Sequence, residues 1–174
     1  KLETGIIDAM AYYANGNETN ILTFTYTVSS GHSSPDLDYD SSNALSLNGG
    51  NITDWESNEA ILILANPGDI GSLSYNKDLI IDTTPPNVSI DSPISTTYTV
   101  DTVTVILSGD AETYWYYIAG IDGSNRTWSE VEDRTLLDGE YTLHAYGNDS
   151  VGNEAWTSVT FTIDTTPPNV SIDS

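Results

Sequence analysis

Residues 20–29 alternate without a break, with Leu22, Phe24, Tyr26 and Val28 on one side and Thr23, Thr25 and Thr27 on the other. A period of two marks a half-buried β-strand; a helix would need its apolar residues three and four apart. The rhythm returns at 99–107, where Val103, Val105 and Leu107 share a face, and again at 140–146 and 157–164. Residues 112–119 predict a strand built from rings, Tyr114-Trp115-Tyr116-Tyr117. Shorter strands are predicted at 44–47, 60–64, 78–82 and 87–91, with a ragged piece at 127–131. Asn15-Gly16, Gly49-Gly50, Asn66-Pro67-Gly68 and Asp122-Gly123 supply the turns between them. Short strands broken by turns about every eight to twelve residues, with no helix beyond about two turns, predict an all-β sandwich.

The chain also repeats itself. Ile81-Asp82-Thr83-Thr84-Pro85-Pro86-Asn87-Val88-Ser89-Ile90-Asp91-Ser92 returns unchanged as residues 163–174, an offset of 82. That period suits one small domain, and is too long for a small solenoid repeat. Two adjacent prolines forbid a helix and offer no amide to a ladder. The repeat therefore reads as last strand, stiff hinge, first strand of the next domain. It divides the chain into sandwich domains at 1–84 and 85–168, each expected to hold a modest core, with 169–174 left over. Within the second domain, Trp115 is expected to fill the gap between the two sheets. Leu136-Leu137-Asp138-Gly139-Glu140-Tyr141 has the pattern of a tyrosine corner, in which the ring hydroxyl bonds back to the preceding turn.

Charge narrows the partners. Four Lys and Arg stand against 26 Asp and Glu, a formal charge of -22. Residues 1–84 carry 12 acids and 2 bases and residues 85–174 carry 14 and 2, so both domains share the acidity. Such a surface repels nucleic acid and anionic membranes, whereas divalent cations, salt or basic partners suit it. It also simply keeps a protein in solution. Cysteine is absent, which removes disulfides and thiolate chemistry. No apolar run is long enough for a membrane-spanning helix, so direct membrane insertion is not expected. Six Asn-x-Ser/Thr acceptor sites, at Asn17, Asn51, Asn87, Asn125, Asn148 and Asn169, fall at predicted strand ends or loops, where an exported protein carries glycans.

Two stretches resemble known families. Residues 142–154, Thr142-Leu143-His144-Ala145-Tyr146-Gly147-Asn148-Asp149-Ser150-Val151-Gly152-Asn153-Glu154, are followed by Val159-Thr160-Phe161-Thr162-Ile163-Asp164-Thr165-Thr166-Pro167-Pro168. Together they resemble the closing strands of bacterial and archaeal Ig-like repeats of large extracellular proteins, and the match covers residues 85–168. Residues 20–84 resemble a different Ig-like repeat of surface adhesins, through the alternating 22–28 segment, Asp36-Leu37-Asp38-Tyr39, residues 44–50 and the 80–85 linker. The resemblance implies tandem Ig-like sandwiches and a structural role in an extracellular stalk, adhesin or surface filament. It also places Lys1 in mid-domain, so the first sandwich is expected to lack its opening strands. Where that family has a Gly-Asn pair after its acidic turn, this chain has Ser57-Asn58, which puts an ion site needing a left-handed residue in question.

Candidate chemistry follows from the oxygens. Asp36, Asp38 and Asp40 begin like a calcium loop, but Ser41 and Leu47 stand where an EF-hand needs Gly and Glu. Asp54 and Asn58 share their spacing with Asp149 and Asn153, and each loop precedes a final strand ending in Asp82 or Asp164. Hard oxygen ligands of this kind suit Ca²⁺; the plainer reading is that Asp and Asn cap turns. No nucleophile elbow or His-paired serine occurs, so an enzyme is not expected. Two other readings remain. Rings at 114–117 with Trp55, Trp128 and Trp156 would suit a carbohydrate- or protein-binding module on a surface protein. The tail, with Val170 and Ile172, is expected either to begin a further domain or to be donated as a strand to a neighbouring copy, building a filament.

Overall fold

The computed structural model describes residues 1–171, and the chain divides into two compact units, Lys1–Thr84 and Pro85–Ser174. In the first unit, β1 (Tyr12–Asn15) pairs antiparallel with β2 (Thr23–Thr25) around the turn at Gly16. β3 (Ser33–Ser34) pairs antiparallel with β4 (Ile81–Asp82), far away in sequence. Between them in the chain lies α1 (Leu73–Asn76), one turn whose N-cap Ser72 accepts from the Tyr75 amide.

The long alternating run at 20–29 is thus a strand only at its centre, and residues 44–47 and 60–64 form none. Alternation supplies a face, but a strand also needs a neighbour's row of amides and carbonyls. Residues 60–64 have only isolated backbone bonds, such as Leu64 N–H to Ser42 O at 2.9 Å.

The centre of this unit is polar. Thr4, Ser34, Asp38 and Ser72 are buried, while the buried apolar residues are Ala9 and Leu37. Ile6, Phe24, Trp55, Ile61 and Ile70 lie exposed. The modest apolar core expected for the first domain is therefore not what the structure shows. Hydrogen bonds among loops hold the unit, and its large side chains stay outside.

The second unit is a two-layer sandwich. β5 (Val88–Ser92), β6 (Thr97–Tyr98), β7 (Thr102–Gly109), β8 (Thr113–Ile118), β9 (Arg126–Trp128), β10 (Glu132–Thr135), β11 (Gly139–Asn148) and β12 (Glu154–Ile163) follow one another in the chain. One sheet has the order β10-β7-β5, the other β6-β12-β11-β8-β9. Only β6 runs parallel to its neighbour, β12. Val103, Val105 and Leu107 face in from β7 against Ile118, Leu143, Phe161 and Ile163 of the other layer. The tyrosine corner is present: Tyr141 Oη donates to Leu137 O at 2.9 Å.

Trp115 does not fill the gap between the sheets; Tyr116 does, fully buried. Both phases of β8 are aromatic, so period alone leaves the facing open. β11 decides it. Ala145 lies opposite Tyr116 and Gly147 opposite Tyr114, small residues against large on the inner side. At Gly147 a β-carbon would sit 2.6 Å from that of Ala111, so this position has no room for a side chain. Trp115 and Tyr117 are left on the outer face.

The buried Tyr116 hydroxyl donates to Glu132 at 2.8 Å and accepts from Arg134 at 3.1 Å. Arg134 grips Asp122 through both terminal nitrogens, at 2.8 and 3.2 Å, and the Ile118 amide donates to the same carboxylate. Burial pushes the Asp122 carboxyl up, but the Arg134 and Ile118 bonds outweigh it and hold it below its ordinary range. A carboxyl lowered in the folded state stabilises above the unfolded-state value, about 4, and that support fades as the pH falls below it. Arg134→Ala strands a carboxylate that is 8% exposed, so it is expected to cost about 3–5 kcal/mol at neutral pH. Urea melts should show that deficit shrinking on acidification, as the carboxylate stranded in the variant takes up a proton and the wild type loses the support of the ion pair.

Candidate functional site

The two acidic loops are one device built twice. Asp149 Oδ1 accepts the amides of Val151 and Asn153, at 3.0 and 2.9 Å, and Oδ2 accepts the Asn153 side-chain amide at 2.8 Å. Asp54 repeats this with Glu56 and Asn58, at 3.0, 2.8 and 2.8 Å. In both, the first residue's amide also donates to the last residue's carbonyl at 3.1 Å. The fourth residue of each loop is left-handed: Gly152 at φ 92° and Ser57 at φ 69°. The missing glycine therefore leaves the loop's shape intact and adds strain at Ser57. The Asp54 carboxyl is held below its ordinary range by the Asn58 side chain and amide. Burial pushes Asp149 up, but Asn153 outweighs it and lowers that carboxyl too.

Asp82 and Asp164 open the two copies of the linker in the same way. Asp82 Oδ1 accepts the Thr84 amide at 2.9 Å, and Asp164 Oδ1 accepts the Thr166 amide at 3.2 Å. The next contacts differ. Thr83 Oγ1 accepts from the Gly31 amide and donates to His32 O, at 2.9 and 3.1 Å. Thr165 and Thr166 instead close on Asp138: the Thr165 amide and hydroxyl bond its Oδ1, at 2.9 and 2.7 Å, and the Thr166 hydroxyl its Oδ2 at 2.6 Å. Thr166 first, then Thr165, hold the Asp138 carboxyl below its ordinary range. Asp138, on the turn bonded back by Tyr141, escapes the sequence reading. The Asp-Gly of that corner is the one signal for it, and nothing in the linker names its partner.

Asp36, Asp38 and Asp40 part company. Asp36 is exposed. Asp38 is buried and accepts from Ser74 Oγ at 2.6 Å and from the amides of Tyr39, Gly68 and Leu73 at 2.9, 3.1 and 3.2 Å. Burial alone would raise its carboxyl; the Ser74 bond and the Tyr39 and Gly68 amides hold it down to about 2. It anchors loop 66–74 to the body of the unit. Asp40 pairs with Lys1 at 2.9 Å. Among the described residues no three His, Cys, Asp or Glu side chains converge in a way that could hold a metal ion.

The outer face of the second unit carries a stack of rings. Trp115 lies on Tyr146 at 5.9 Å between centroids and 3° between planes, and Tyr117 on His144 at 4.8 Å and 18°. Tyr117 and Tyr146 close the group at 6.3 Å. The rings pair across the strands with their planes within 18° of parallel, a row of cross-strand aromatic contacts on the outer side of the sheet. Trp55 and Trp156 lie exposed, and Trp128 packs edge-on to Tyr114.

Five acceptor asparagines, at 17, 51, 87, 125 and 169, are exposed. Asn148 ends β11 half-buried, and its side-chain oxygen is enclosed without a hydrogen bond. Val170 is exposed and outside any strand, and Ile172 lies outside the described residues.

The paired loops allow a matched test. Ser57→Gly is expected to stabilise the first unit by about 1 kcal/mol, and Gly152→Ser to cost the second about as much. Scanning calorimetry of both variants checks the opposite signs.

A family model described as a bacterial Ig-like domain matches residues 58–165. It takes in all eight strands of the second unit together with the Asp149–Asn153 loop and the first copy of the linker. No curated protein matches the chain. With well over half of its length covered by that match, the chain belongs to the bacterial Ig-like domain family.

Proposed function

We propose that the chain is a spacer: a repeat segment of an extracellular stalk, adhesin or surface filament, whose partners are neighbouring repeats or copies of itself. Bacterial Ig-like domains are often found on surface proteins and are generally not enzymes. The observation that carries this reading is the linker. Both copies leave their unit through the same Asp–Thr turn, and both are tied back by threonine. Two prolines with fixed φ follow at once, so little backbone freedom remains where the joint must bear load.

Export is the first test. Labelling intact cells with a membrane-impermeant amine reagent, followed by protease shaving, is expected to mark and release the protein. Recovery only after lysis would place it inside the cell and end the reading.

The acidity adds a second expectation. Calcium gathers around the carboxylates near the hinges, Asp82 and Asp164 among them, and relieves their mutual repulsion. The melting temperature should therefore rise in millimolar calcium chloride and return on adding EDTA. Sodium chloride of equal ionic strength separates bound ion from screening, since screening alone would give the same rise.

A further inference from the structure

In the first unit, two of the acceptor asparagines stand over the apolar surface that the fold leaves bare. A depression of about 620 Å³ is lined by Leu22, Phe24, Leu47 and Ile52, and both Asn17 and Asn51 stand at it. A second, of about 400 Å³, joins Asn17 and Thr19 of one acceptor site to Thr53 of the other and to Trp55. Asn17 sits in the tight turn that joins β1 to β2, where the Thr19 amide donates to Gly16 O at 3.2 Å. Both asparagines and both threonines are exposed, as a transferase requires. Trp55 is 85% exposed, while Leu22, Phe24 and Leu47 are near 40%.

We propose that Asn17 and Asn51 are N-glycosylated, and that the first sugars of the two glycans lie over Leu22, Phe24, Leu47 and Trp55 and shield them from water. The inference rests on export, as proposed above. Leu22, Phe24, Leu47 and Trp55 leave apolar side-chain surface open to water beside these asparagines, and covering such surface is favourable. A pyranose ring suits the place, because its C–H face packs on aromatic and branched side chains while its hydroxyls stay in water. A glycan attached at the rim is held at high effective concentration, so it needs little intrinsic affinity. Charge fits as well, since a neutral sugar escapes the repulsion that an anionic partner would meet on this surface.

The donor is a polyprenyl-phosphate-linked oligosaccharide. Asn Nδ2 attacks the anomeric carbon, a C–N bond forms as the anomeric C–O bond breaks, the lipid phosphate leaves as the anion, and the amide's proton passes to a base on the transferase. The side chain remains a neutral amide. Asn148, with its oxygen enclosed at the end of β11, is expected to stay unmodified.

The full chain, secreted through a leader from a host with an N-glycosyl transferase, gives the test. Glycopeptide mass spectrometry should find sugar at Asn17 and Asn51. Binding of the dye ANS should be low for this glycoprotein and rise several-fold in the N17Q/N51Q double variant, with N125Q unchanged. Releasing the glycans enzymatically from folded protein should raise ANS binding equally and change the Trp55 emission, which guards against a variant that merely misfolds. Unmodified Asn17 and Asn51, or occupied sites whose deglycosylation leaves ANS binding unchanged, would overturn the inference. Because the leader enforces export here, neither result bears on where the native chain resides; surface labelling decides that separately.

Discussion

The second unit depends on the fit of small residues against rings between β8 and β11. Tyr116 can lie between the sheets only because Ala145 faces it, and Tyr114 packs inward because Gly147 offers no side chain. Once that phase is set, the rest of the layer follows. Leu143, Phe161 and Ile163 must point the same way, since a slip of one residue would turn every side chain over. The outer face then inherits the large pairs, Trp115 on Tyr146 and Tyr117 on His144. The buried Tyr116 hydroxyl needs partners, and Glu132 and Arg134 supply them from β10. One steric choice thus positions a core, an aromatic face and a buried ion pair.

The first unit is governed by the opposite balance. Its buried groups are hydroxyls and a carboxylate, and each is satisfied: Thr4 by Ile7 and Ala9, Ser72 by Gly68 and Tyr75, and Asp38 by four donors. Such a network specifies the loop geometry well but contributes little net stability, because each bond replaces one to water. Apolar burial, the usual driving force, is spread thin. Cooperativity should therefore be weaker in this unit than in the sandwich, and its surface more in need of cover.

This contrast explains what could be read from the chain. Alternation at 99–107, 140–146 and 157–164 locates β7, β11 and β12 to within a few residues, because each has a partner along most of its length. Alternation at 20–29 is just as clean, yet yields only Thr23–Thr25, because pairing is a property of the neighbours. The tyrosine corner was legible from Asp138-Gly139-Glu140-Tyr141, a local motif with a local bond. Ring size points to Trp115 over Tyr116 for the gap between the sheets, while the deciding information lies some thirty residues on, in the small size of Ala145 and Gly147. The Asp-x-x-x-Asn spacing picks out two loops of one shape; what spacing does not reveal is that each carboxylate's oxygens are engaged by the loop itself.

The linker shows how identical sequence can serve two different bodies. Its opening turn needs only its own atoms, Asp82 with Thr84 or Asp164 with Thr166, so it forms in both places. Beyond that turn it offers two threonine hydroxyls, each able to donate and accept. The first unit answers with a backbone amide and carbonyl from Gly31 and His32, the second with the Asp138 carboxylate. A hydroxyl tolerates either partner, whereas an Asp or a Lys at those positions would have tied the linker to one kind of domain. Threonine also favours the extended backbone that must lead into proline. Repeats that diverge in their bodies can therefore keep one joint unchanged, provided each body presents a polar group where the threonines arrive.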